Sequence, residues 1–139
     1  MTRRLTTEEV ARVAEFRSAL RRFLRTTERN SRAAGLTPQR YLLLLMVKGA
    51  EDGSGRSTVT ELAERLQLAQ STVTELVRRA EEVGLLERER SPDDGRIAFL
   101  RLTPEGERRL ERAFTTNEAE RQALLDAFSY LKGTPLEVG

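Results

Sequence analysis

The feature that most constrains the fold of this chain is a late change in hydrophobic period. Apolar side chains recur at three- and four-residue steps along most of the sequence, which is the period of amphipathic helices. Two short runs, Leu85–Arg90 and Ile97–Leu102, instead alternate apolar and polar residues, and the turn-forming run Ser91–Arg96 joins them. We therefore predict a β-hairpin with one solvated face in a chain that is otherwise helical.

Capping signals locate the starts of the helices. Thr58 and Glu61 have the spacing of a capping box, in which each side chain binds the other residue's backbone amide. A threonine followed by proline, as at Thr37 and Thr103, favours an N-cap followed by the first helical residue. Helices are predicted to begin near Thr6, Thr37, Thr58, Ser71 and Thr103.

The helices differ in length and in apolar character. The first is predicted to span some two dozen residues; its stripe fades through Thr26-Thr27, and Gly35 marks its end. The second, from Gln39 to about Ala50, is apolar on almost every side and is therefore predicted to be a core helix. The last long helix is interrupted by the weak helix formers Thr115–Asn117, which predict a bend or break.

Missing residue types exclude several classes of protein. The 139-residue chain has no cysteine and no histidine, which removes disulfides, thiol redox chemistry and the commonest metal ligands and proton-transfer groups. We expect no catalytic residues, no metal, no cofactor and no enzymatic activity. The longest apolar run, Tyr41–Val47, is shorter than the roughly 20 residues of a membrane span. Neither a membrane segment nor a signal peptide is expected, so a cytoplasmic location is predicted.

Charge is distributed unevenly along the chain. Residues 1–40 hold ten arginines and four glutamates, whereas residues 54–103 hold eight arginines and nine acidic residues. The overall pI near 9.5 favours a nucleic-acid partner. The near-neutral second segment weakens that inference, because the basic excess lies at the front of the chain.

The order of the elements indicates a winged helix-turn-helix. Two helices joined by a tight turn and followed by a hairpin form this motif, whose second helix fits the DNA major groove. Over about residues 6–132 the chain resembles the MarR family of bacterial transcription regulators. The resemblance is carried by Leu62-Ala63, Ser71–Arg79, Gly84–Leu86, Asp94–Arg96 and Leu102–Gly106.

The resemblance implies a domain organisation and a mainly α fold class with a small β-hairpin wing. Residues 1–35 would form an N-terminal dimerisation helix, residues 36–103 the winged helix-turn-helix, and residues 104–139 a C-terminal dimerisation helix. Together they would make one structural domain overall, in a homodimer that binds pseudo-palindromic double-stranded DNA.

The resemblance also assigns the residues that would contact DNA. The helix near Ser71 would enter the major groove, while Arg96 would enter the minor groove and be oriented by Asp94. Short polar groups at a helix N-terminus can bind base edges and phosphates, and Arg78 lies on the same face as Thr74. The predicted set is Gln70, Ser71, Thr72, Thr74, Arg78, Asp94 and Arg96.

Two positions depart from the family pattern. Ala69 stands where relatives often carry a capping serine, which would move the helix start to Ser71. Glu75 stands where many relatives carry a basic residue, and an acid there would repel phosphate or accept a hydrogen bond from cytosine N4. The alternative function is therefore a winged-helix protein–protein interaction module that binds no DNA.

Several candidate residues also have a purely structural interpretation. Ser71, Thr72 and Thr74 are good helix-capping residues. Arg78 and Arg79 can pair with Glu75, Glu81 and Glu82 along the helix. The strand arginines Arg88 and Arg90 are typical of a solvated strand face.

Relatives in this family respond to ligands by changing the separation of their two recognition helices. With cysteine and histidine sensing excluded, we expect a small organic ligand, or none. An arginine beside aromatic and apolar groups suits an anionic aromatic molecule such as a phenolic acid, although simple packing is the alternative. The predicted ligand-binding residues are Phe16, Leu20, Arg40, Tyr41 and Leu45.

Overall fold

The computed structural model describes residues 4–133, and these form six α-helices and three short β-strands. In chain order the elements are α1 (Thr7–Ala33), α2 (Pro38–Lys48), β1 (Arg56–Ser57), α3 (Val59–Leu66), α4 (Gln70–Glu82), β2 (Leu86–Arg90), β3 (Ala98–Leu102), α5 (Pro104–Thr116) and α6 (Glu118–Lys132). The predicted fold class, mainly α with a small β wing, is confirmed. The outer ends of the predicted segments 1–35 and 104–139 lie outside the described residues.

The predicted helix starts agree with the observed caps. Thr58 and Glu61 form a capping box, in which the Thr58 amide donates to Glu61 Oε1 at 2.8 Å and the Glu61 amide donates to Thr58 Oγ1 at 3.2 Å. Thr37 caps α2 through its side chain, and Pro38 occupies the first helical position. These signals are local in sequence, which is why they could be read without the fold.

The extent of the first helix agrees with its prediction, whereas the start of the fourth helix does not. The first helix spans 27 residues and ends at Ala33, before Gly35 as predicted. The predicted shift of the fourth helix start to Ser71 is wrong, because α4 begins at Gln70 with Ala69 as its N-cap. Ala69 serves as the N-cap through its backbone alone: its carbonyl accepts from the Val73 amide at 3.1 Å, while no side chain caps the first amides of α4.

The sheet has one strand more than the predicted hairpin. Its order is β1-β3-β2 and both pairings are antiparallel. The hairpin strands pair over their full length, with Leu86 opposite Leu102 and Arg90 opposite Ala98. The added strand β1 has only two residues, too few to show an alternating pattern in the sequence.

By their contacts the described residues divide into two compact units, with boundaries inside α1 and α5. We call residues 31–114 the winged unit and residues 4–30 with 115–133 the helical unit. The winged unit holds a core in which α2 is central, as predicted, with Leu43, Leu44 and Val47 fully buried. In the helical unit the predicted break between the last two helices is confirmed at Asn117, whose Oδ1 accepts from Asn30 Nδ2 at 2.7 Å.

Within residues 4–133, no helix is both long enough and apolar enough to cross a bilayer.

Candidate nucleic-acid interface

Backbone conformation and backbone hydrogen bonds hold the turn between α3 and α4. Gln67 ends α3 in the left-handed conformation (φ 58°, ψ 46°), and its amide closes the last turn of the helix. The Leu68 amide donates to the Ala63 carbonyl at 3.1 Å. Because only two residues then separate Gln67 from the first residue of α4, the chain reverses within a tight turn. This is the geometry of a helix-turn-helix.

The packing of α4 determines which of its faces is free. Val73, Val77 and Ala80 are fully buried, at the spacing of one helical face. The opposite face starts at the N-terminus, where the side chains of Gln70, Ser71, Thr72 and Thr74 are all exposed. The core contacts of α4 therefore present the predicted short polar residues to solvent.

The amides at the start of α4 have no side-chain cap. Ala69 stands at the N-cap, and no side-chain hydrogen bond caps this helix. The interpretation of Ser71 and Thr72 as N-caps is wrong, because the helix begins before them. Gln70 Nε2 is close enough to donate to Thr60 Oγ1 at 3.3 Å, a contact with α3 that no sequence pattern indicated. An uncapped helix N-terminus with polar side chains around it is a suitable site for a phosphate.

Further along α4, one carboxylate binds two arginines. Glu75 Oε1 accepts from Arg78 Nε at 3.1 Å, and Glu75 Oε2 accepts from Arg79 Nε at 2.9 Å. Arg78 also bonds to Glu82. These hydrogen bonds lower the pKa of Glu75 to about 2, so the carboxylate is charged at neutral pH. The structural interpretation of Arg78 and Arg79 as partners of helix glutamates is confirmed, although Arg78 remains exposed.

The tip of the wing, the loop between β2 and β3, holds the second predicted arginine. Asp94 accepts from the Arg96 amide at 3.0 Å and from Arg96 Nε at 3.1 Å. The same contacts lower the pKa of the Asp94 carboxyl. Arg96 Nη2 also donates to the other Asp94 oxygen at 3.3 Å. The Arg96 side chain is 91% exposed, so Asp94 orients the guanidinium against the loop while leaving most of the side chain accessible.

Two strand arginines have roles that the alternating pattern did not indicate. Arg88 and Arg90 are exposed, as a solvated strand face predicts. Arg88 Nε also donates to Glu81 Oε2 at 3.0 Å and so links the wing to α4. Arg90 donates to the Gly95 carbonyl and supports the tip. In the sequence, the one signal for this contact is that Arg90 and Gly95 flank the loop between β2 and β3.

The structure does not gather the five predicted ligand residues into one described groove. Phe16 and Leu20 belong to the helical unit, where they line different shallow grooves. Leu45 lines a groove of the winged unit between α2 and α5. Tyr41 is part of the winged core, and Arg40 is partly buried.

Metal binding has no support in the part of the chain that the structure describes, where no cluster of acidic side chains is arranged to hold an ion.

Comparison with known proteins finds similar sequences and structures among transcription regulators. A sequence model of the MarR family matches residues 34–97. The HTH-type transcriptional regulator YsmB of Bacillus subtilis (strain 168), itself uncharacterised, is 26% identical over 129 residues, which are 90% of this chain and 86% of YsmB. Further transcription regulators match over about half of their own length.

Solved structures share the fold. AbsC, a MarR family transcriptional regulator from Streptomyces coelicolor, superposes with a TM-score of 0.67 at 25% identity, covering 90% of this chain and 84% of AbsC. A mutant MarR from E. coli, crystallised with operator DNA, gives a TM-score of 0.68 at 20% identity and covers 84% of each chain. At that identity the likeness concerns the fold alone.

Proposed function

We propose that this chain, which belongs to the MarR family of transcription regulators, is a homodimer that binds pseudo-palindromic duplex DNA. The start of α4 would enter the major groove, and the wing at Asp94–Arg96 would reach the minor groove. Family membership makes the chain a transcription regulator rather than an enzyme. We further propose its pairing into a homodimer, DNA as its partner, the residues that contact DNA and the release of DNA by a small ligand.

The observation that carries the proposal is the joint exposure of α4 and the wing tip. The helix presents an uncapped N-terminus and four exposed short polar side chains, from Gln70 to Thr74. Arg96 at the wing tip is 91% exposed, and Asp94 binds both its backbone amide and its guanidinium. Hydrogen-bonding groups at a helix start suit base edges and phosphates, and an extended arginine suits the negative potential of a narrow minor groove.

The relatives support the choice of DNA as the partner. The mutant MarR of the same fold was crystallised with operator DNA. In such a fold the second helix of the helix-turn-helix reads the major groove. The corresponding helix here is α4, and its exposed start is the part that would meet base edges.

Exposed apolar side chains of the helical unit support pairing of two chains. The exposed fraction lies between 45% and 57% for five large apolar side chains, Val10, Val13 and Leu24 on α1 and Leu125 and Phe128 on α6. Large apolar surfaces of this kind mark sites of protein association. A second copy of the same unit would cover them and would place two α4 helices on one duplex.

The proposal is tested by selecting duplexes from random DNA with the full chain, and by then measuring the affinity for the selected duplex. Arg96→Ala is expected to weaken binding about tenfold, as loss of a groove-reading arginine does. Arg108→Ala is the matched control, because it removes the same charge from an exposed side chain of α5 that pairs with Glu105 at 2.7 Å. Equal effects of the two variants, or no enrichment of any sequence, would contradict the proposal.

The alternative, a protein–protein module without DNA binding, is favoured by the pairing of Arg78 and Arg79 with glutamates. Salt separates the two functions, because DNA affinity falls steeply as salt concentration rises. Association with DNA that is absent, or that does not respond to salt, would support the alternative.

Release by a small anionic aromatic molecule is a separate part of the proposal. Leu45 lies beside Lys48 in a largely apolar groove of the winged unit. Lys48 Nζ pairs with Glu107 at 2.8 Å in the same groove, so an anionic ligand would have to displace that carboxylate. Calorimetry with a panel of aromatic acids tests this part. Binding heat together with loss of DNA affinity is expected, and the absence of both would reject it.

A further inference from the structure

The arrangement of charges on α4 has a consequence for how DNA would be recognised. Arg78 binds Glu75 as a fork, with Nε on Oε1 at 3.1 Å and its second amino group on Oε2. Arg79 Nε binds the same Oε2 at 2.9 Å. Both arginines are thus held by a carboxylate on their own helix, three and four residues before them.

This contact occupies the donors that DNA would need. A guanidinium binds a phosphate or a guanine edge with the same parallel pair of N–H groups that Arg78 gives to Glu75. The Glu75 carboxylate is charged at neutral pH and bonded to both arginines, so it competes with phosphate for their donors. Few other charges can compensate, since residues 54–103 hold eight arginines against nine acidic residues.

We propose that Glu75 is a specificity-determining residue that keeps Arg78 and Arg79 off DNA phosphates unless the base sequence offers its carboxylate another donor. The inference rests on the proposed DNA-binding function. On an arbitrary sequence, freeing the arginines leaves an acid without a partner beside the phosphates, so sequence-independent binding stays weak. At the correct site, the amino group at N4 of cytosine donates to Glu75, and the arginines are then free to bind.

The test compares the full-length wild type with Glu75→Gln and Glu82→Gln. Glutamine keeps the shape of glutamate but removes its charge. Glu82 is the matched control, because it lies on the same helix and binds Arg78 but not Arg79. Binding is measured by fluorescence anisotropy over a series of salt concentrations, on the duplex selected with the wild type and on a scrambled duplex of equal length and composition.

Glu75→Gln is expected to bind the scrambled duplex about tenfold more tightly than the wild type. Each arginine that gains a phosphate steepens the plot of log affinity against log salt by about 0.9, so the slope should steepen by about one to two. Glu82→Gln should change both quantities less. A repeated selection with Glu75→Gln should also lose a cytosine preference at one position of each half-site.

Equal behaviour of the two variants on the scrambled duplex would overturn the inference, because net charge alone would then explain the change. An unchanged cytosine preference would overturn the part that concerns the base. If the wild type selects no duplex, the proposed function fails, while the scrambled duplex still decides whether Glu75 restrains the arginines.

A second variant keeps the test decisive if Glu75→Gln does not fold. Glu75→Ala also removes the carboxylate that holds Arg78 and Arg79, so it should tighten binding to the scrambled duplex and steepen the salt slope as Glu75→Gln does. An unchanged affinity and slope for Glu75→Ala would contradict the inference.

Discussion

The winged unit and the helical unit differ in where they place their large apolar side chains. In the winged unit the fully buried side chains include Leu43, Leu44, Leu62, Leu85 and Leu100. In the helical unit the buried apolar residues are the small Ala19 and Ala127, while its large apolar side chains are mostly exposed or partly exposed.

This difference suggests a different role for each unit. The winged unit encloses a core of its own, so it can hold α4 and the wing in fixed positions. The helical unit leaves apolar surface unburied within one chain, and burial of such surface drives association. One unit would then supply the contact with DNA, and the other would supply the surface that pairs two chains.

The largest expected effect is a loss of stability from a substitution in the core of the winged unit, compared with a substitution on the surface of the helical unit. Leu44 is fully buried, so Leu44→Ala should lower the free energy of unfolding by about 2–5 kcal/mol. Leu125 is 57% exposed, so Leu125→Ala should lower it by less than about 1 kcal/mol but weaken self-association. Urea unfolding and sedimentation measure the two quantities. Equal losses of stability would remove the contrast between the units.

A smaller effect tests how tightly the winged unit is packed. A Cβ added at Gly106, on α5, would lie 2.3 Å from the Leu85 carbonyl oxygen, whereas one at Gly95 would meet nothing within 4 Å. Gly106→Ala should therefore cost about 1–3 kcal/mol through overpacking. Gly95→Ala should stay within about 0.5 kcal/mol. Thermal unfolding at one protein concentration checks both values, and a neutral Gly106→Ala would show that the packing is loose.

The features predicted from sequence were those set by neighbouring residues. The capping box of Thr58 and Glu61, the Thr37 cap and the break at Asn117 depend on a few adjacent positions, and each was recovered. The two-residue strand β1 was missed, because it exists only through its pairing with β3. The start of α4 was misplaced by one residue, because a backbone cap at Ala69 leaves no polar signal in the sequence.

In the candidate site, too, the features set by neighbouring residues could be predicted and those set by the folded structure could not. The exposure of Gln70, Ser71, Thr72 and Thr74 follows from the apolar spacing of α4, so the sequence could predict it. Helical spacing also indicated that Arg78 and Arg79 have glutamate partners. It could not show that Glu75 binds both, because that choice depends on the side-chain conformations in the folded helix.

The smallest expected effect concerns charge on the winged unit. The pKa of Glu75 lies near 2 instead of 4.5 because Arg78 and Arg79 donate to its carboxylate. A lowered pKa means that these contacts stabilise the fold above pH 4.5 and are lost as the pH falls toward 2. An NMR titration should find this low value. Replacing both arginines with alanine should return the pKa toward 4.5, and an unchanged value would refute the assigned cause.

A hydroxyl-radical footprint of the full chain, on the duplex that it selects, tests most directly whether paired chains grip DNA through α4 and the wing. Two chains that each insert an α4 helix should protect two stretches of the sugar–phosphate backbone whose centres lie about one helical turn, or about 34 Å, apart. Protection of the flanking minor groove should disappear with Arg96→Ala and persist with Arg108→Ala. A single protected segment, or protection that does not respond to Arg96, would contradict that claim.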